Sequence, residues 1–329
     1  MNRESKPILK SDRIISFITE SIRNGKLEPG HAVPSINVSA EKFGVARKTV
    51  VRAYDRLKEN GFIESRPKRG YFVINKKPDT KLKVLLIVHS FDGHWEILYN
   101  HFREQANGFC ETEIFFHHYN IKMLELMISR NVTDYDLFII SSFNHPRIKN
   151  IIGRIPAYKV LVISRNDRLE QNYNCIVQDF SEGTRSALTE AHNSIVKYKK
   201  LNLSFPATSG HSETLRNGFL DYCDLFDMPN KVLGSLSESD ICKNEAYLVI
   251  DDSDLIRLLE VSKNRCWELG SDIGVISYNE TPLKKVIRDG ISVLSCDFTK
   301  MAEEMAGFIK NQRAVQKTIP IEFIQRNSI

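Results

Sequence analysis

Between Ser35 and Val73 the sequence concentrates cationic hydrogen-bond donors at helical spacing. From about Ala46 to Asn60 it reads as one helix closed by Gly61, with Val50, Ala53, Tyr54 and Leu57 repeating along a face that is expected to enter a core. Arg47, Lys48, Val51 and Arg52 make the opposite stripe, and its donors sit on the first two turns. Guanidinium and ammonium groups at that end of a helix suit phosphate oxygens and the acceptor edges of bases in a major groove. A shorter helix comes before it, with Ser35 as its expected N-cap and Gly44 ending it in a tight turn. After Gly61, residues 62–65 and 70–74 read as two short strands joined through Arg66, Pro67, Lys68, Arg69 and Gly70, a basic hairpin or wing.

Charge follows the same division. Residues 1–77 carry 17 Lys and Arg against 8 Asp and Glu, a net +9, while the whole chain is only +5; the remainder is therefore −4. Positive charge is gathered where phosphate neutralisation would supply sequence-independent affinity for a duplex.

These residues resemble the winged helix-turn-helix of GntR-type bacterial transcription regulators. The marks run in order over about sixty residues: Gly25-x-Leu27-x-Pro29-Gly30, Pro34-Ser35, Ala46-Arg47-Lys48-Thr49-Val50, Ala53-Tyr54-x-x-Leu57, Gly61-Phe62-Ile63 and Gly70-Tyr71-Phe72-Val73. The resemblance implies that Arg47, Thr49 and Arg52 meet DNA and that the tip at Lys68, Arg69 and Gly70 enters the minor groove. Lys48 and Ser35 join the candidate set. Asn37 stands where that family usually has an arginine, so a base or phosphate contact there would be made by an amide.

Length and composition are consistent with two domains, because 329 residues exceed one ordinary core and 42% apolar content fills a sizeable interior. Residues 1–76 are expected to form the DNA-binding domain, residues 77–82 a charged linker with Pro78, and residues 83–329 a two-lobed domain. In that third stretch, apolar runs at 84–88, 136–141, 159–164, 174–179, 246–251, 273–278 and 291–296 alternate with amphipathic segments. Continuous Val, Leu and Ile runs indicate strands buried on both faces, as in parallel sheets covered by helices, and the fold class expected is α/β.

This second region resembles the sugar-binding domain of LacI-type repressors, which has the periplasmic-binding-protein fold. The motifs are Val177-x-Asp179-x-x-x-Gly183, Leu215-Arg216-Asn217-Gly218-Phe219, Leu248 to Asp252, Leu269 to Tyr278, and a closing-strand motif over Ile324 to Ser328. The resemblance implies two lobes joined by three crossing strands, with a small ligand between them. Open parallel sheets bind ligands beyond the carboxyl ends of their strands, so the residues just after each run become candidates: His89, Ser90 and Phe91 with Trp95, then Phe143 and Asn144, Arg165 with Asn166, Asp251 with Asp252, and Asn279 with Glu280. Trp95 stands where the family often has an aromatic residue, whose flat face covers the C–H side of a sugar ring. Asp251 and Asn279 stand where it commonly has Asn and Asp, so donor and acceptor roles are exchanged. Arg216 lies two residues before its glycine rather than three. Asp179 and Asp252 are expected to cap the helices that follow them.

Other function classes find little support. There is no G-x-G-x-x-G after a strand, no phosphate-cradling G-x-x-x-x-G-K-[ST], no H-E-x-x-H and no G-x-S-x-G. His117 and His118 are expected to be structural, pointing apart on a strand, and the six scattered cysteines to be reduced and mostly buried. Neither a signal peptide nor a membrane span is expected, which leaves the cytoplasm as the compartment. The reading is a DNA-binding regulator of carbohydrate-metabolism genes, expected to be a repressor, acting as a homodimer on operator DNA, with a small carbohydrate effector and no cofactor or metal. A carbohydrate-modifying enzyme fused to a DNA-binding head is the alternative.

Overall fold

The computed structural model describes residues 10–23, 25–59, 61–74, 81–91, 93–164, 173–206, 213–311 and 314–329. The head contains α1 (Lys10–Arg23), α2 (Ile36–Phe43), α3 (Arg47–Glu59), β1 (Ile63–Arg66) and β2 (Gly70–Val73). Ser35 caps α2 by accepting from Val38 N, and Gly44 stops it at φ 60, a left-handed conformation that glycine adopts without steric cost. Val50, Ala53, Tyr54 and Leu57 are wholly buried against Ile14 and Ile18 of α1. The Tyr54 hydroxyl bonds to Ser39 Oγ at 2.8 Å and donates to Pro34 O, tying α3 to the entry of α2. Strands β1 and β2 pair antiparallel from Ile63 with Val73 to Arg66 with Gly70, so the wing starts and stops within one residue of its sequence-read bounds.

Two six-stranded sheets follow. The first lobe runs through β3 (Leu82–Val88), α4 (Gly93–Ala106), β4 (Cys110–Phe116), α5 (Ile121–Asn131), β5 (Leu137–Ser141), α6 (Ile148–Ile152), β6 (Val160–Ser164) and β7 (Asn174–Gln178). The chain then crosses to the second lobe, which holds α7 (Ser181–Glu190), α8 (His192–Ile195), β8 (Leu201–Ser204), α9 (Glu213–Leu225), β9 (Asn230–Leu233), β10 (Ala246–Val249), α10 (Asp252–Asn264), β11 (Gly274–Tyr278) and β12 (Ser292–Cys296). It returns as α11 (Phe298–Asn311) and β13 (Gln316–Ile319), and crosses again into β14 (Ile321–Ile324). The sheet orders are β13-β7-β6-β5-β3-β4 and β14-β12-β11-β10-β8-β9; all pairings are parallel except β12 with β14. Each lobe is therefore completed by strands from distant parts of the chain, through three passages between them.

Several expectations need correction. The seven apolar runs are all strands or parts of strands, but β4, β8, β9, β13 and β14 lie outside them. The closing strand is Ile321–Ile324, while residues 325–328 form no strand. Asp179 does not cap α7, whose N-cap is Phe180, and Asp252 is inside α10 with its carboxylate on Lys284 rather than on the helix end. His117 and His118 follow β4 instead of sitting on a strand, and His118 has φ 47. Of the cysteines, 175, 223 and 296 are buried, 110 is intermediate, and 242 and 266 are exposed. Residues 75–80, most of the expected linker, lie outside the described residues, as do Arg165 and Asn166.

Packing in the second lobe leaves a sharp steric constraint at Gly218 of α9. A Cβ built there would stand 2.2 Å from Ser181 O at the start of α7, with Thr184 Cβ at 3.1 Å, so the two helices approach with no room for a methyl group. Gly218→Ala is expected to destabilise the two-lobed region by about 1–3 kcal/mol through overpacking. Thermal unfolding followed by circular dichroism checks this; an unchanged melting temperature would show that α7 and α9 separate freely.

Candidate DNA-reading face and effector cleft

Ser35, Asn37, Arg47, Lys48, Arg52, Lys68, Arg69 and Gly70 are exposed on the head, and Thr49 is partly so. Helix α3 separates its two faces cleanly: the stripe from Val50 to Leu57 is buried, and Arg47, Lys48, Val51 and Arg52 face away from it. Packing of α1 and α2 against one side thus fixes which donors remain in water. Ser35 Oγ is engaged as the α2 cap at 3.3 Å from Val38 N. At the wing, Lys68 (φ 60) and Gly70 (φ 98) turn the hairpin, closed by Arg69 N to Arg66 O at 3.0 Å, and Arg66 is held by Glu64 and lies over the Phe72 ring. Arg66 is therefore occupied by the wing itself, while Lys68 and Arg69 project from the tip.

The second site lies where the carboxyl ends of the two sheets meet. His89 after β3, His94, Trp95 and Leu98 of α4, Gln178 ending β7, Tyr278 and Asn279 ending β11, and Phe298 and Met301 of α11 enclose a cavity of about 10 Å³. That volume is about what one water molecule needs, and around it the described residues of the two lobes are in direct contact. Hydrogen bonds span them: Tyr278 Oη donates to Gln178 Oε1 at 3.2 Å, and the Asn279 amide meets His94 Nδ1 at 3.4 Å. Gly93 and Thr281 also approach across the gap, a Cβ at Gly93 reaching 3.0 Å from Thr281 Cγ2.

Asn279 combines three features. It is 8% exposed, its Oδ1 has no hydrogen-bond partner, and its backbone is left-handed at φ 61, where non-glycine residues carry strain. An incomplete buried amide beside a cavity is costly, because a desolvated polar atom without a partner loses about 1–3 kcal/mol. Behind it, Arg326 pairs with Glu280 and also donates to Ile291 O.

The aromatic wall is held by two histidines whose tautomers follow from their partners. Trp95 Nε1 donates to His89 Nε2 at 3.3 Å, so His89 carries its proton on Nδ1, towards Ser141 Oγ at 3.4 Å. His117 donates from Nε2 to Ser141 O at 2.9 Å and accepts from Tyr119 N on Nδ1 at 3.1 Å, while its ring stacks on Phe143. Burial pulls the His117 pKa down to about 4, against the partial support of the Ser141 carbonyl.

Three of the sequence-read effector candidates, His89, Trp95 and Asn279, line the cavity. Ser90 is half-buried beside His89, Phe91 is 46% exposed against Tyr99 and Phe116, and Phe143 lies one layer deeper behind His117. Asn144 is exposed, Asp251 is half-buried at the N-cap of α10, and Arg216 is exposed on α9 with Glu213 at 3.4 Å. His94, Gln178, Tyr278, Phe298 and Met301 were not among the candidates; only Gln178 and Tyr278, polar residues at the carboxyl ends of apolar runs, carried a signal. Among the described residues no group of three or more His, Cys, Asp or Glu is placed to hold a metal.

Comparison with known proteins separates the same two regions. Residues 10–73 match the family described as bacterial regulatory proteins, gntR family. The chain is 37% identical over 73 residues to an uncharacterized HTH-type transcriptional regulator, YdfD, of Bacillus subtilis (strain 168); the match covers 22% of this chain and 15% of that protein. Among solved structures, a periplasmic binding protein/LacI transcriptional regulator from Alkaliphilus metalliredigens QYMF, complexed with D-xylulofuranose, superposes with TM-score 0.62 at 15% identity, over 75% of this chain and 99% of that one. The lac repressor dimer bound to operator and the anti-inducer ONPF gives TM-score 0.62 at 14% identity, over 76% and 94%. At such identities the likeness is one of fold.

Two outcomes follow. Arg52→Ala is expected to weaken binding to a duplex selected by the wild-type protein by about tenfold or more, since a good base contact is worth about 1–3 kcal/mol; a mobility-shift titration with less than a twofold change would remove α3 from the reading face. His117 binds its proton less readily when folded than at its ordinary 6.5, so the unfolded chain takes up more protons between pH 6.5 and 4 and stability falls as pH drops through that window. Urea denaturation across it should show a loss of at most about 3 kcal/mol in the wild type and a flatter profile in His117→Gln.

Proposed function

We propose, for a chain that joins a GntR-type DNA-binding domain to a two-lobed fold of LacI type, that the protein is a transcription regulator, a repressor of carbohydrate-metabolism genes, released from its operator by a small sugar. The observation that carries the DNA half is the exposed row of Arg47, Lys48 and Arg52 on a helix whose other face is fully buried. Those cations have no structural employment in the head's core, and they stand on a segment with net charge +9.

The sugar half rests on the cleft. Asn279 offers a buried amide with one polar atom unengaged, beside the indole of Trp95 and the polar groups of His89, His94 and Gln178. A hydroxyl both donates and accepts, so it completes the amide whichever way the side chain is turned. An aromatic face with neutral donors and acceptors around it matches a ring that is polar at its edge and C–H on its face. Because the closed cavity holds about 10 Å³, entry of such a ring requires the lobes to part and to close again on new contacts. A ligand that binds one lobe arrangement better than another shifts the equilibrium between them.

The regulator acts as a dimer in this reading, since one winged head makes few base contacts and two heads on a near-palindrome add theirs. Neutral pentoses, hexoses, deoxyhexoses and their phosphate esters form the decisive panel. One of them is expected to raise the melting temperature, to weaken a mobility-shifted complex between the full chain and duplex selected from a random pool, and to be recovered unchanged. A ligand at about 100 times its dissociation constant stabilises the folded state by about 2.7 kcal/mol. Recovery of a chemically altered sugar would identify an enzyme instead, and failure to select any duplex would remove the regulator reading.

A further inference from the structure

Lys284 inverts the usual division between inside and outside. In the short helical turn Pro282–Lys285 and the residue after it, Leu283 and Val286 are 68% and 71% exposed while Lys284 is 3% exposed. A lysine is almost never buried to that degree unless its ammonium is paired. Here Nζ donates to Tyr278 O at 2.9 Å and Asn279 O at 3.0 Å and meets Asp252 Oδ1 at 2.9 Å, so its three hydrogens have three acceptors.

Those two carbonyls belong to the residues that carry the cleft. As the chain leaves β11, the peptide turns into the left-handed conformation at Asn279 (φ 61), which asparagine adopts more readily than other residues with a side chain. The side chains of the same residues make cross-lobe hydrogen bonds, Tyr278 to Gln178 and Asn279 to His94, over the cavity that Trp95 lines. Asp252, the first residue of α10 with its side chain 64% exposed, anchors the ammonium from outside.

We propose that Lys284 is a positioning residue for the cleft: by holding the Tyr278 and Asn279 carbonyls it sets the turn that keeps the two lobes closed. It does not line the cavity and acts entirely through those backbone atoms. Its relevance to effector binding rests on the function proposed above, whereas its effect on closure does not need a ligand.

Trp95 provides the readout, because the chain has two tryptophans and Trp267 can be removed as Trp267→Phe. In that single-tryptophan protein, acrylamide quenching reports the access of solvent to the cleft, where Trp95 is 2% exposed. Lys284→Met keeps the aliphatic stem and loses all three donors; it is expected to raise the quenching constant about threefold while the far-UV spectrum and a cooperative melt persist, by populating an open state. Lys284→Arg should fall between, and Lys285→Met, at an exposed neighbour, should leave quenching at the parent value. A folded Lys284→Met protein that quenches like its parent would overturn the proposal. Should that variant not fold, Asp252→Ala tests the same link at an exposed carboxylate: a higher quenching constant supports the proposal, and an unchanged one overturns it. Titration with the sugar that stabilises the wild type should show about tenfold weaker binding to Lys284→Met. If no sugar in the panel binds the wild type, the effector reading fails, and quenching alone still decides the role of Lys284.

Discussion

A parallel strand buried on both faces has little room for polar side chains along its length, and this governs where the two-lobed region can do chemistry. In β3 the residues from Val84 to Val88 are all buried, and β5, β10, β11 and β12 are buried throughout. They admit few polar groups: on β12 the Ser292 hydroxyl donates to Arg326 O, while on β11 the buried Ser277 Oγ has no hydrogen-bond partner. Groups that must meet a ligand are displaced to the carboxyl ends, where the backbone leaves the sheet and side chains can turn towards the opposite lobe. His89, Gln178, Tyr278 and Asn279 all lie there.

Three passages between the lobes make that placement mechanically useful. The chain crosses after β7, returns after β12 and crosses again between β13 and β14, which only Pro320 separates. Helix α11 belongs with α4 in the first lobe although it follows a strand of the second. Opening the cleft can therefore be concentrated in the connecting segments while both cores stay intact, since each core is closed by residues distant in sequence: Phe298, Met301 and Met305 complete the first, and Ile321 and Ile329 the second. Among the described residues, opening would break the Tyr278–Gln178 and Asn279–His94 hydrogen bonds and the contact of Gly93 with Thr281.

Legibility in the sequence tracks how local each feature is. The head was readable almost residue by residue because its signals act within a few positions: the Ser35 cap, the Gly44 stop and the period of Val50, Ala53, Tyr54 and Leu57. Strands buried on both faces were readable from their Val, Leu and Ile runs. Strand β4 was not, because as an edge strand it alternates half-buried residues with the exposed Glu111 and Glu113, and β8 and β9 have only four residues each, with Asn202 and Lys231 among them. In the cleft, Trp95 and Asn279 followed apolar runs and could be picked out. Phe298 and Met301 enter from a helix whose place in the first lobe is set by the crossings, and no local pattern records that. Lys284 sits in a Lys-Lys pair that reads as solvated surface, and the long-range fact that matters, two carbonyls five and six residues away at the end of β11, appears only in three dimensions.

Head and first lobe are also in contact. Tyr158, just before β6, packs edge-on to Phe62 at 5.0 Å between ring centroids and joins the rim of the head's core. Phe62 precedes β1 of the wing, and Ile74 N bonds back to its carbonyl, so this ring is fixed to the hairpin that carries Lys68 and Arg69. Helix α3, with Arg47 and Arg52, shares its buried face with the same core. The first lobe thus touches the part of the head that positions both the wing and α3. The charge division adds a direction: with +9 on the head and −4 on the rest, the phosphate field attracts one domain and repels the other, so the duplex itself favours arrangements that hold the lobes away from it.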